Sequence, residues 1–111
     1  MPFIHYDQIE KEFVTPKHST AYGALASGES IEVGYLSFKG GEGAEAHQHP
    51  HEQIVVVLKG RIRVRLGDEE AEIGPGSGFH VPPNLLHGVT AIEDTEVISC
   101  KNLVDGVGHR I

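Results

Sequence analysis

The sequence predicts an all-β domain, a sandwich, jelly roll or barrel, and three features of it carry that prediction. Short segments rich in Val and Ile, or alternating apolar with polar residues, recur at spacings of roughly 8–12 residues, the rhythm of strands joined by tight turns. Glycine and proline punctuate them, at Gly40-Gly41, Lys59-Gly60, Gly67-Asp68, Gly74-Pro75-Gly76-Ser77-Gly78 and Pro82-Pro83-Asn84. After residue 30 no segment sustains a helical period.

Taken in order, residues 1–30 read as an N-terminal arm, with a helical turn or two over Asp7–Phe13 and a short strand over Tyr22–Ala26. The barrel then runs over residues 31–111. Ile31–Phe38 alternates as a half-buried strand does and stops at Gly40-Gly41. Gln53–Leu58 is rich in Val and Ile, Arg61–Leu66 alternates strictly, and Glu70–Ile73 is short. Phe79–Val81, Leu86–Ile92 and Glu96–Val104 complete the series, and the tail from Asp105 to Ile111 reads as flexible or docked on the surface. A chain of 111 residues has the size of one domain and is long enough for one core.

Composition excludes several functions. The net charge is −7, and the tightest basic group, Lys59, Arg61, Arg63 and Arg65, alternates with Ile62, Val64 and Leu66. Those arginines read as the solvated face of a strand, the competing reading being an anion site, and the overall charge balance argues against nucleic acid. The longest apolar run, Ile54–Leu58, is far short of the roughly 20 residues that span a membrane. Met1–Phe13 carries acidic residues and no sustained apolar run, so neither a secretory signal nor a transit peptide is expected. One cysteine, Cys100, permits no internal disulfide, which fits a reducing cytoplasm. Cys100 is expected to behave as a small core hydrophobe.

Histidine is the unusual residue: the chain has eight, and five of them lie between His47 and His87. Imidazole is the commonest protein ligand of transition metals. In an extended strand, residues two apart share a side, so His47 and His49 can aim at one point. Pro50 interrupts regular pairing, after which Gln53 can turn its side-chain oxygen toward the same point. His87, after the Pro82-Pro83-Asn84 turn, offers a ligand from a later strand. The competing reading is an exposed polar run of His47, His49 and His51 that takes metal only adventitiously.

The stretch Gly41-x5-His47-x-His49-x3-Gln53-x6-Gly60 resembles the first motif of the cupin family, with glutamine in the usual glutamate position. Gly76-x5-Pro82-x-Asn84-x2-His87 resembles the second, with Asn84 for the usual glycine and Ala91 for the usual asparagine. The resemblance implies a double-stranded β-helix, the cupin jelly-roll barrel. It implies one divalent transition metal (Fe, Mn, Ni, Zn, Cu or Co) held by His47, His49, Gln53 and His87, and assembly as a homodimer. The arm would suit that assembly by covering a neighbour's sheet edge. Locally the His-x-His-Pro-His-Glu-Gln run and the Pro-Pro-Asn turn are similar to the small cupins that open unsaturated uronates in pectin breakdown. Those carry Asp-x-Phe and an arginine on the late strand, where this chain reads Ser99-Cys100-Lys101. The resemblance therefore covers the metal shell and not the substrate.

Three imidazoles and an amide are all neutral, so a divalent ion there keeps its full charge and favours an anionic ligand. The expected function is a metal-dependent enzyme (isomerase, lyase or dioxygenase) acting on a small oxygenated organic anion. The alternative is a non-catalytic small-molecule-binding or sensory cupin, its metal structural or ligand-holding. No general base announces itself. Glu52 should leave on the face opposite Gln53. His51 reads as a hydrogen-bonding partner behind the ligands or as a rim histidine, and His80 as lining the barrel or facing solvent. Val97, Ser99 and Lys101 share one face of the last strand, with Ile98 and Cys100 on the other, and either face can be the inner one.

Overall fold

The computed structural model describes residues 3–111. Among them ten strands follow a single 3-10 turn at Tyr6–Gln8: β1 (Glu12–Phe13), β2 (Tyr22–Ser27), β3 (Ile31–Phe38), β4 (Gly43–His47), β5 (Gln53–Lys59), β6 (Ile62–Leu66), β7 (Glu69–Ile73), β8 (Gly78–Val81), β9 (His87–Ala91) and β10 (Thr95–Asn102). They form two antiparallel sheets, one ordered β1-β2-β3-β10-β5-β8 and the other β4-β9-β6-β7. Among the described residues, no helix is long and apolar enough to cross a membrane.

Period-two patterning decides which side of each strand faces the other sheet. In β3, Glu32, Gly34, Leu36 and Phe38 are buried, while Ile31 and Tyr35 are exposed. The same alternation runs through β10, where Thr95, Val97, Ser99 and Lys101 point inward. Apolar side chains from both sheets, among them Leu25, Leu36, Val55, Val57, Ile62, Val64 and Val97, meet as one core. Polar residues occupy the inner face at one end of the barrel, so the same pleat that builds the core also builds a site.

Three expectations are corrected. Of Asp7–Phe13, expected to be helical, only Asp7 and Gln8 fall in the 3-10 turn, and Glu12–Phe13 instead pairs with Tyr22 and Gly23, because an open sheet edge offers its backbone partners. Cys100 is no core residue: it stands half-buried on the outer face of β10, opposite Val33 and Ile54. The tail is docked, and not wholly on the surface: residues 105–107 and Arg110 stay exposed while Gly108 and His109 are buried. It turns at Asp105-Gly106, both at positive φ, through the bridge between Val104 and Val107, and carries His109 inward to only 2% exposure.

Arg63 and Arg65 lie on the exposed face of β6 and Arg61 is exposed just before it, as the alternation predicted; Arg61 and Arg63 pair with Glu72. β2 pairs with β3 of its own chain, so this part of the arm is built into the main sheet.

Candidate metal centre

His47 and His87 come together because β4 and β9 pair with those two residues directly opposite each other. A Cβ on Gly43 would run into the Val89 backbone, so this close approach of the strands needs glycine. The ladder ends at His47, and Gln48 to Glu52 leave regular pairing, as Pro50 predicts. His49 is positioned instead by the second motif: the Asn84 N–H donates to the His49 carbonyl at 2.8 Å. One candidate ligand nitrogen from each of His47, His49 and His87 lies within 4.8 Å of the other two. The ring centroids are 4.4 Å apart for His47 and His87, and 4.7 Å for His49 and His87.

Backbone carbonyls set two of the tautomers. His47 Nδ1 meets Glu45 O at 2.7 Å and His87 Nδ1 meets Leu85 O at 2.8 Å, each two residues back. A carbonyl only accepts, so each Nδ1 carries the hydrogen and each Nε2 keeps a lone pair available to a cation. Among the described residues, the fully buried side-chain nitrogens and oxygens without a partner are both nitrogens of His49 and Nδ1 of His51. Leaving such atoms unpaired costs roughly 1–3 kcal/mol each, so their concentration at one point marks a candidate cation site.

The electrostatics keep the cluster uncharged. Burial, and secondarily the Lys101 charge, pushes His49 down to about 3. Burial also lowers His47 and His87 against the opposing pull of their carbonyl partners. Neutral imidazole is the metal-binding form.

Gln53 lines the same cavity as His47 and His87, together with Ser99, Lys101 and His109. The cavity volume is about 60 Å³, several times the roughly 10–15 Å³ one ordered water needs, which suits a small ligand. Gln53 donates its amide N–H to Ser99 Oγ at 2.9 Å. Lys101, 3% exposed, is lowered to about 8 by burial, with the charge of Glu32 opposing that shift.

His51 is buried, not on the rim: its Nε2 donates to Val107 O at 2.6 Å, and its ring stands edge-on to His49. His80 faces solvent and pairs with Glu52 at 2.7 Å, which puts Glu52 on the outer side as expected. The sequence reading missed three groups. His18 stacks on His47 with centroids 5.0 Å apart, and Glu32 and His109 form a buried pair at 2.6 Å beside Ser99. Nothing in their spacing marks them, although Glu32 in an otherwise apolar inward register of β3 was a usable signal.

Comparison with known proteins agrees with this architecture. The pattern of the cupin domain matches residues 34–99. Auxin-binding protein T85 of Nicotiana tabacum is 35% identical over 83 residues, covering 65% of this chain, and the chain spans 44% of that protein's length. An RmlC-like cupin from Shewanella frigidimarina superposes with a TM-score of 0.82 over 95% of both chains at 21% identity. KdgF from Halomonas sp. superposes at 0.80 with 27% identity, over 92% of this chain and 93% of its own.

Proposed function

This chain belongs to the cupin family, and from that premise we propose that it holds one divalent transition metal through His47, His49, Gln53 and His87 and acts on a small oxygenated organic anion. The observation that carries the reading is His49, buried with both ring nitrogens unpartnered beside two histidines whose carbonyl bonds leave Nε2 free. A divalent ion in this setting supplies Lewis acidity to an oxygen bound to it.

The chain's own residues define the rest of the site. The ligand set is neutral, so the positive charge is left for an anion to balance. Lys101 adds a second, fixed cation to the wall of the same cavity, suited to a carboxylate. The apolar wall of Leu36, Phe38, Val55 and Val97 excludes water beneath it and strengthens both attractions. An isomerase, lyase or dioxygenase is the class of enzyme this arrangement serves.

A second reading rests on the auxin-binding relatives, which are 32–36% identical over the matched region: the site binds a small molecule without turning it over. Expected surroundings for either are the cytoplasm, from the cysteine content, and a homodimer, which sedimentation of the metal-loaded chain tests.

Elemental analysis of tag-free protein beside a His49→Ala/His87→Ala double variant tests the site. Near-stoichiometric transition metal in the parent, lost in the variant, is the expected result. A folded parent that takes up none after reconstitution overturns it. Turnover of hydroxy- or keto-acids by the loaded protein then separates the enzyme from the binding module.

A further inference from the structure

An amide ligand has a problem that a carboxylate does not. Both oxygens of a glutamate can coordinate a cation, whereas a glutamine has one competent end, and its NH2 group presents hydrogens to the ion. Something must decide which way Gln53 faces.

A chain of buried hydrogen bonds makes that choice. Glu32 accepts at Oε1 from His109 Nδ1 at 2.6 Å and from the His109 N–H at 2.7 Å, and at Oε2 from Ser27 Oγ at 2.6 Å. Burial opposes ionisation of this carboxyl, yet those bonds hold it down at about 2, so it only accepts. The His109 hydrogen is therefore on Nδ1, and Nε2 is an acceptor. Ser99 Oγ lies 2.9 Å from that Nε2 and must donate its one hydrogen there. Its remaining lone pairs can only accept, and they accept from Gln53 Nε2 at 2.9 Å. The NH2 end of Gln53 is thus committed to Ser99, and Oε1 is the end left for the cavity.

We propose that Glu32, His109 and Ser99 are positioning residues that orient the Gln53 amide with its oxygen toward the three-histidine cluster. Resting on the metal reading above, the relay gives the C-terminal tail a part in the centre, because the tail delivers His109. Thr15 Oγ1 donates to the His109 carbonyl at 2.5 Å and helps hold the segment in place. Burial disfavours protonation of His109 against the opposing pull of Glu32, and the nearby Lys101 and His51 add to the burial effect, which keeps Nε2 an acceptor.

The test is a Co(II) titration of the full chain, followed by visible absorption, in two backgrounds. Ser99→Ala frees the amide to flip and should weaken Co(II) binding by roughly 10–100-fold, with a changed band. Where Gln53→Glu has already replaced the amide by a symmetric carboxylate, Ser99→Ala should change affinity by less than about threefold. Equal losses in both backgrounds, or none in the Gln53 background, overturn the relay. A measurement on the unmutated chain stands apart from any folding defect. Long-range ¹H–¹⁵N correlation at pH 7 should find His109 neutral with its hydrogen on Nδ1, and the Nε2–H tautomer or the imidazolium overturns the inference. A parent that gives no Co(II) band at all overturns the metal reading itself, which a bound but Ser99-insensitive metal would not.

Discussion

The N–H of Asn84 donates to the carbonyl of His49 at 2.8 Å, and Asn84 holds φ at 65° to do so. The bond ties the turn before β9 to the loop after β4, so two sequence motifs far apart in the chain set the position of one candidate ligand. It also accounts for asparagine in a place where the family motif has glycine, since asparagine is among the side chains that tolerate the left-handed region best.

Replacing Asn84 by Val should therefore cost about 1–2 kcal/mol of stability through backbone strain, and weaken metal binding by displacing His49. Asn84→Gly should stay close to the parent in both. Chemical denaturation and a Co(II) titration of the two variants make the comparison.

His49 should be a ligand kept at the expense of stability. In metal-free protein, His49→Leu removes two unpaired buried nitrogens and should raise the unfolding free energy by about 1 kcal/mol or more. Metal uptake should be lost in the same variant. A destabilised, metal-free His49→Leu protein would mean that the ring already has partners in the folded state.

Acid should unfold the metal-free protein in two overlapping windows. His49 is held down at about 3 against an ordinary 6.5, so the unfolded chain binds its proton first, and stability falls as pH drops from about 6.5 toward 3. Glu32 is held down at about 2 against 4.5; its contribution is complete above pH 4.5 and is lost toward pH 2. Denaturation midpoints against pH should lose part of the upper slope in His49→Leu and the lower slope in Glu32→Gln.

Lys101 should select for anionic ligands. Lys101→Met keeps the volume and removes the charge, and should weaken binding of small carboxylates to the metal-loaded protein by roughly tenfold, about 1.4 kcal/mol. Neutral alcohols should bind the two proteins alike in calorimetry. Equal loss for both ligand types would point to damage of the cavity rather than loss of a cation.

Much of the fold was legible because strand patterning is local. Ile31–Phe38 is a strand over the residues expected, and the segments beginning at Gln53, Arg61, Glu70 and Phe79 each differ by one residue at one end. The His47, His49 and His87 cluster was legible too, since the motif spacing survives even where the geometry argued for it does not. His49 is turned by a loop and an Asn84 hydrogen bond, not by strand alternation.

By itself the sequence determined the all-β class, the two motifs, the neutral character of the candidate ligand set and the solvated arginine face. These follow from residue type and short-range periodicity. Only the tertiary structure decided that Ser99 and Lys101 face inward while Cys100 faces out, because an alternating strand reads equally well from either side until a second sheet covers one. It alone brought His109 to Glu32, 77 positions apart in the chain. No local pattern can announce such a pair, which forms because each buried polar group must find its partner wherever the packed chain supplies one.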